Sequence, residues 1–219
     1  MRTTNRNRPD HRSTALGLIT AVFLAVLLLA VPAAAGNTAL YEVAQNGSSY
    51  SADVSFTNLD KYYLVSQGFF FGLGGDEAIS GVSNLTLINA DSGEAVTPES
   101  SKGTLTFPKG NYTLTYTAPV KDGEIYLKYP AAFDAVITMH DPYTTGHMVL
   151  GPVGEKGVIT KTKSDTTVTY TGIESTSLRI YDKNREFILY GFAGVWIIIV
   201  LIIFLRYRSL KKRQIKTGE

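Results

Sequence analysis

The chain has 219 residues, a formal net charge of +2 and no cysteine. Without cysteine there can be no disulfide, thiolate metal site, cysteine nucleophile or lipid-modified cysteine. The charge is a sum of unlike parts: residues 36–186 hold eleven Lys/Arg against seventeen Asp/Glu, a net of −6, while the first fourteen residues carry +3 and the last fourteen +5. The pI of 8.6 is therefore no sign of nucleic acid, and basic–aromatic interleaving is absent from the acidic middle segment.

The N-terminus reads as a secretory signal peptide over residues 1–35. Arg2, Arg6, Arg8 and Arg12 precede an apolar run from Ala15 to Val31, then Pro32 and Ala33-Ala34-Ala35. A basic n-region, an apolar h-region and a small-residue site predict cleavage after Ala35. An uncleaved first span is the alternative, and it too would place the middle of the chain outside.

Residues 36–186 read as one β domain. Tyr50, Ala52, Val54 and Phe56 alternate with Ser51, Asp53, Ser55 and Thr57, the period of a half-buried strand. Leu85–Ile88 is a second run. Thr104–Phe107 and Tyr112–Thr117 flank Pro108-Lys109-Gly110-Asn111, turn residues at hairpin spacing. Ile125, Leu127 and Tyr129 alternate up to Pro130, Ala135–Met139 follows, and Met148–Leu150 is a further short candidate. Val158–Lys163 and Thr167–Thr171 flank Ser164-Asp165 as a hairpin, and Ser177–Tyr181 leads out. Asp91–Gly103 is polar, either a long loop or a boundary between small sheets. Short strands about ten residues apart, rich in Thr, Tyr and Val, predict an all-β, β-sandwich-like extracytoplasmic domain.

Candidate sites are few. Sequons at Asn46, Asn84 and Asn111 are possible N-glycosylation positions, with Asn111 in the expected turn and Asn84 opening a strand. Phe69, Phe70 and Phe71 form the most apolar outer stretch. They make a buried strand or a contact patch, since three consecutive Phe cannot share one strand face. His140 and His147 lack the spacings of a metal or general-base motif. Asn89–Glu94 fails as a calcium loop because Gly93 stands at position 5 and Ser100 at position 12. Phosphate-loop, nucleophile-elbow and zinc-helix motifs are missing, and adjacent Asp76 and Glu77 point apart. No cofactor or metal is expected.

Phe187–Leu205 is nineteen residues without a charge, about 28 Å as a helix against a bilayer core of about 30 Å. Six Lys or Arg lie within Arg206–Lys216, a basic tail that belongs on the cytoplasmic side. Gly191 and Gly194 miss the spacing that packs paired spans.

The second half resembles an uncharacterised archaeal family of single-span surface proteins, domain of unknown function 5803. The likeness rests on Gly103–Phe107, Asn111–Leu114, Tyr129-Pro130, Gly151-Pro152-Val153 with Gly154 and Gly157, Leu178–Tyr181 and Asn184–Glu186, across roughly 100–215. It implies an archaeal surface location and no known activity. The expected protein is a single-pass cell-surface protein in a lipid bilayer, non-enzymatic, binding an envelope protein or serving a membrane complex. A surface hydrolase using scattered carboxylates and His140 is the alternative.

Overall fold

A computed structural model describes residues 36–67 and 76–216, with side chains to 208. The segment 1–35, the Phe69–Phe71 run and residues 217–219 lie outside the described residues.

The domain is built from β1 (Asn37–Val43), β2 (Ser49–Tyr63), β3 (Val65–Gln67), β4 (Asp76–Ala78), β5 (Ser83–Asn89), β6 (Ala95–Val96) and β7 (Glu99–Ser101). It continues with β8 (Thr104–Pro119), β9 (Glu124–His140), β10 (Tyr143–Thr144), β11 (Val158–Lys161), β12 (Asp165–Arg179) and β13 (Tyr181–Asp182). Nine strands form one mixed sheet in the order β11-β12-β9-β1-β2-β8-β5-β6, with β7 also on β8. All its pairings are antiparallel except β1 with β9, which run parallel from Asn37↔Phe133 to Glu42↔Thr138. β3–β4 and β10–β13 are separate two-stranded pairs.

Four strands of fifteen to seventeen residues carry the sheet, and they bend rather than stop. Six residues of straight strand span about 20 Å. Yet the rings of Phe56 and Tyr62, both on β2, stack with centroids 6.0 Å apart. Phe107 and Tyr112 on β8 are 4.9 Å apart, and Tyr129 and Phe133 on β9 are 4.4 Å apart. Pairing slips at the same places: β2 against β8 between Phe56 and Lys61, and β12 against β9 between Tyr170 and Ser175. β2, β8 and β9 thus each fold the inner face onto itself, and the register slips mark the bulges that allow it.

The residues at the bends are those that read as turns. Pro108-Lys109-Gly110-Asn111 is not a hairpin loop: β8 runs through it, and Pro108 meets the ladder only where pairing has slipped. Pro130 does not end β9 for the same reason. Asn58 and Gly172 sit at the bends with φ of +58° and +60°. The Val158/Thr169 hairpin is as the sequence predicts, whereas Met148–Leu150 is a turn and not a strand.

The core lies in the folded inner face and is strongly aromatic. Tyr41, Tyr50, Tyr62, Tyr116 and Tyr129 are all buried there. The hydroxyls of four of them satisfy one another: Tyr41 shares hydrogen bonds of 3.0 Å with both Tyr62 and Tyr129, and Tyr62 one of 3.5 Å with Tyr116. A buried hydroxyl without a partner costs about 1–3 kcal/mol, so the chain of hydroxyls makes a tyrosine core tolerable. Burial drives the ionisation of Tyr41, Tyr62, Tyr116 and Tyr129 far upward and that of Tyr50 to about 12, so all five stay neutral.

The domain runs into one helix, α1 (Asn184–Lys216), with only Lys183 between it and β13. The most apolar window of its Asn184–Arg208 stretch has mean hydropathy 2.8, and none of that window is buried. It is long and apolar enough to cross a membrane.

Candidate functional site

Two places gather chemistry-bearing residues. The first is the junction of domain and helix. Tyr143↔Asp182 and Thr144↔Tyr181 pair β10 with β13. Thr144 shares a 3.0 Å hydrogen bond with Thr166 on β12, and the buried Thr145 hydroxyl faces the carbonyls of Arg179 at 2.7 Å and Gly151 at 3.1 Å. The Lys183 amide donates to the Pro142 carbonyl at 3.0 Å, and its ammonium pairs with Asp141. Asp182 accepts from the Asn184 amide at 2.8 Å, a cap for the helix start, while Glu186 stands in the first turn, where the helix dipole favours an anion. The Tyr181 hydroxyl donates to Glu186; burial and that carboxylate both push its ionisation well up. The start of the helix is therefore tied to the β10–β13 pair through Tyr181 and Asp182, and that pair to β12 through Thr144 and Thr166.

The second place is His140, at the end of β9. Its Nδ1 lies 2.6 Å from Asp165 on β12 and its Nε2 lies 3.0 Å from Glu42 on β1. The three strands are neighbours, so their side chains meet across the outer face. Glu42 was not among the residues the sequence singled out, and Asp165 stood there only as a hairpin turn residue. The signal existed only in pairing, since Glu42 and His140 are 98 residues apart. A groove of about 460 Å³ opens beside them, lined by Glu42, Gln45, Ser49, Ser51, Thr117 and His140.

Both ring nitrogens of His140 face a carboxylate, which stabilises the imidazolium. The hydrogen bonds to Glu42 and then Asp165 raise its ionisation above the usual histidine value, while Ser164 and His140 together lower that of Asp165. A ring donating from both nitrogens has no lone pair for a metal or a substrate proton. Its groups are partly exposed, so solvent screening keeps the bridge's contribution modest. The histidine part of its stabilisation is complete below about pH 6.5 and is lost as pH rises through the raised folded value; the Asp165 part is present above about pH 4 and lost on acidification. His140→Gln should therefore flatten the decline in thermal midpoint of the native protein from about pH 6 towards pH 9. Thermal scans by circular dichroism across that range check it; parallel declines in both proteins would refute the bridge.

The remaining candidates are dispersed. Asn46 and Asn84 are exposed, whereas Asn111 is half-buried in β8. Asn111 donates to the Asp91 carboxylate at 3.1–3.2 Å and accepts from the Asn58 amide at 3.1 Å. Its amide is occupied because it fastens a bend. His147 lies on a different turn from His140, against the helix. An apolar groove of about 540 Å³ between β5, β7 and the β3–β4 pair is lined by Leu64, Ile79, Val82, Leu85, Val96 and Leu105. Among the described residues, no three His, Asp or Glu side chains converge as a metal site.

No protein-family model and no curated protein matches the chain. Among solved structures it is similar to the M1 zinc metallopeptidase of Deinococcus radiodurans. The likeness to a variant bound to a Tyr-Ser-Ala substrate has a TM-score of 0.36 at 13% identity, covering 65% of this chain and 41% of that one. For the parent peptidase the TM-score is again 0.36 and the identity 13%, over 66% and 41% of the two chains. This chain spans about two-fifths of the peptidase's length. Similarity at this level transfers neither fold nor activity.

Proposed function

We propose that this chain is a single-pass cell-surface protein whose β domain, residues 36–186, works outside the cytoplasm as a non-catalytic binding or accessory module. One observation carries the reading: a helix whose most apolar window has mean hydropathy 2.8 and is unburied follows an acidic domain and runs into six Lys or Arg. That order is the charge asymmetry that holds a short tail in the cytoplasm. A removable signal peptide over 1–35 completes the topology. The family of domain of unknown function 5803 and an archaeal envelope remain the proposed setting. The sheet, folded on itself, would act in sandwich fashion, with Asn46 and Asn84 as the sequons free to carry a glycan. The partner would be an envelope protein or a membrane complex, and nothing in the acidic domain suits nucleic acid.

The non-catalytic part is supported by the state of the titratable groups. His140, the one expected base, is held by two carboxylates, and the hydroxyls of Tyr41, Tyr62, Tyr116 and Tyr129 are neutral and bonded to one another. Protease added to intact, wall-stripped cells is expected to remove residues 36–186 and spare a tail epitope. Protection of the domain with loss of the tail epitope would overturn the orientation.

A further inference from the structure

The turn His147–Leu150 hangs from the junction beside the helix. The His147 ring meets Tyr181 and Tyr190 edge-on, each with centroids 6.2 Å apart. Tyr190 lies three residues inside the apolar run that begins at Phe187, about 4.5 Å along the helix axis. A turn in contact with Tyr190 thus sits at the level where hydrocarbon begins, not above it. Its tip is apolar and bare: Met148 is 88% exposed and Val149 60%. The thirteen residues from Pro142 to Gly154 contain no Asp, Glu, Lys or Arg.

The turn is also prepared to leave water. His147 Nδ1 accepts from the amides of Val149 and Leu150, both at 3.2 Å, which sets its proton on Nε2. The Gly151 amide donates to the His147 carbonyl at 2.9 Å, and the Gly146 amide to the Gly151 carbonyl at 2.7 Å. Backbone groups tied up in this way cost little to desolvate, the condition for irregular chain at a lipid boundary. Tyr181 and Tyr190 supply the amphipathic rings favoured at that depth.

We propose that the His147–Leu150 turn inserts Met148 and Val149 into the outer-leaflet interface, so that the β domain is seated on the lipid bilayer instead of standing clear on a stalk. This rests on α1 spanning the membrane. A second lipid contact beside the helix fixes the domain's tilt and decides which sheet edges face a neighbour in the membrane.

The absence of cysteine makes the test direct. Met148→Cys and Val149→Cys, in the full chain reconstituted in phosphatidylcholine–phosphatidylglycerol vesicles, carry a polarity-sensitive nitrobenzoxadiazole label. Ile198→Cys in the span and Asn84→Cys on the exposed start of β5 serve as controls. The Met148 and Val149 probes should be quenched several-fold more than the Asn84 probe by a lipid spin label near the headgroup, and be shielded from aqueous iodide. Iodide quenching of both probes equal to that at Asn84, with the Ile198 probe still quenched by lipid, would overturn the insertion while leaving the span intact. An Ile198 probe open to iodide would overturn the span, and the insertion with it.

Discussion

Tyr62→Ala is expected to destabilise the domain by about 3–5 kcal/mol, the range for removing a fully buried aromatic side chain. Tyr62 is 1% exposed and its ring packs on Phe56, Tyr116, Tyr129 and Phe133, which come from both arms of the bent strands. No neighbour can relax into the gap without straightening a strand. Total stabilities run about 5–15 kcal/mol, so the variant would lose a large share. Tyr62→Phe separates the two contributions. It removes only the hydroxyl; Tyr41 keeps Tyr129 as a partner and Tyr116 loses only a long 3.5 Å bond, so the cost should be near 1 kcal/mol. Urea unfolding of the full chain in detergent, followed by circular dichroism, reads both. With a slope of about 2 kcal/mol/M, the alanine midpoint should fall by about 2 M and the phenylalanine midpoint by about 0.5 M. Equal shifts would mean that the ring is not wedged between folded arms.

The second large effect concerns the helix. Phe187–Leu205 contains fourteen Ile, Leu, Val or Phe, which together favour insertion by roughly 4–8 kcal/mol. One arginine near the centre costs about 3 kcal/mol and removes a favourable residue, so Ile198→Arg should still partition to membranes. Adding Leu201→Arg, one turn on, raises the cost to about 6–8 kcal/mol and cancels the preference. The double variant is expected in the soluble fraction after alkaline carbonate extraction, and the single variant in the pellet. A double variant that stays in the pellet would assign the anchor to another segment, and the apolar run Ala15–Val31 would become the candidate.

The strands were legible where alternation was clean. Tyr50–Phe56, Ile125–Tyr129 and Ala135–Met139 all lie in strands with the expected faces inward. β1 is as regular, with Ala39, Tyr41 and Val43 alternating inward, and it adds a strand that the sequence analysis does not predict. Pro108, Gly110 and Pro130 misled for a physical reason. Their dihedral preferences specify that the chain must deviate, but a bulge and a hairpin both satisfy that demand. Which one forms depends on whether a neighbouring strand continues to pair on the far side. That information lies some fifty residues away, in β2 for Pro108 and in β12 for Pro130.

The sites followed the same division. The apolar helix could be read from nineteen contiguous residues, since the hydrophobic effect acts on each residue in place and needs no partner. Composition and charge order likewise set the acidic domain apart from the basic tail. The His140 bridge and the exposed apolar turn at Met148 could not be read in that way. Glu42, His140 and Asp165 meet only because β1 runs parallel to β9 and β12 antiparallel beside it. Met148 sits in an ordinary apolar triplet until β10 and β13 carry it to the mouth of the helix. Local chemistry determined how each segment partitions between water, core and lipid; register between distant strands, which no local preference encodes, decided which side chains stand together.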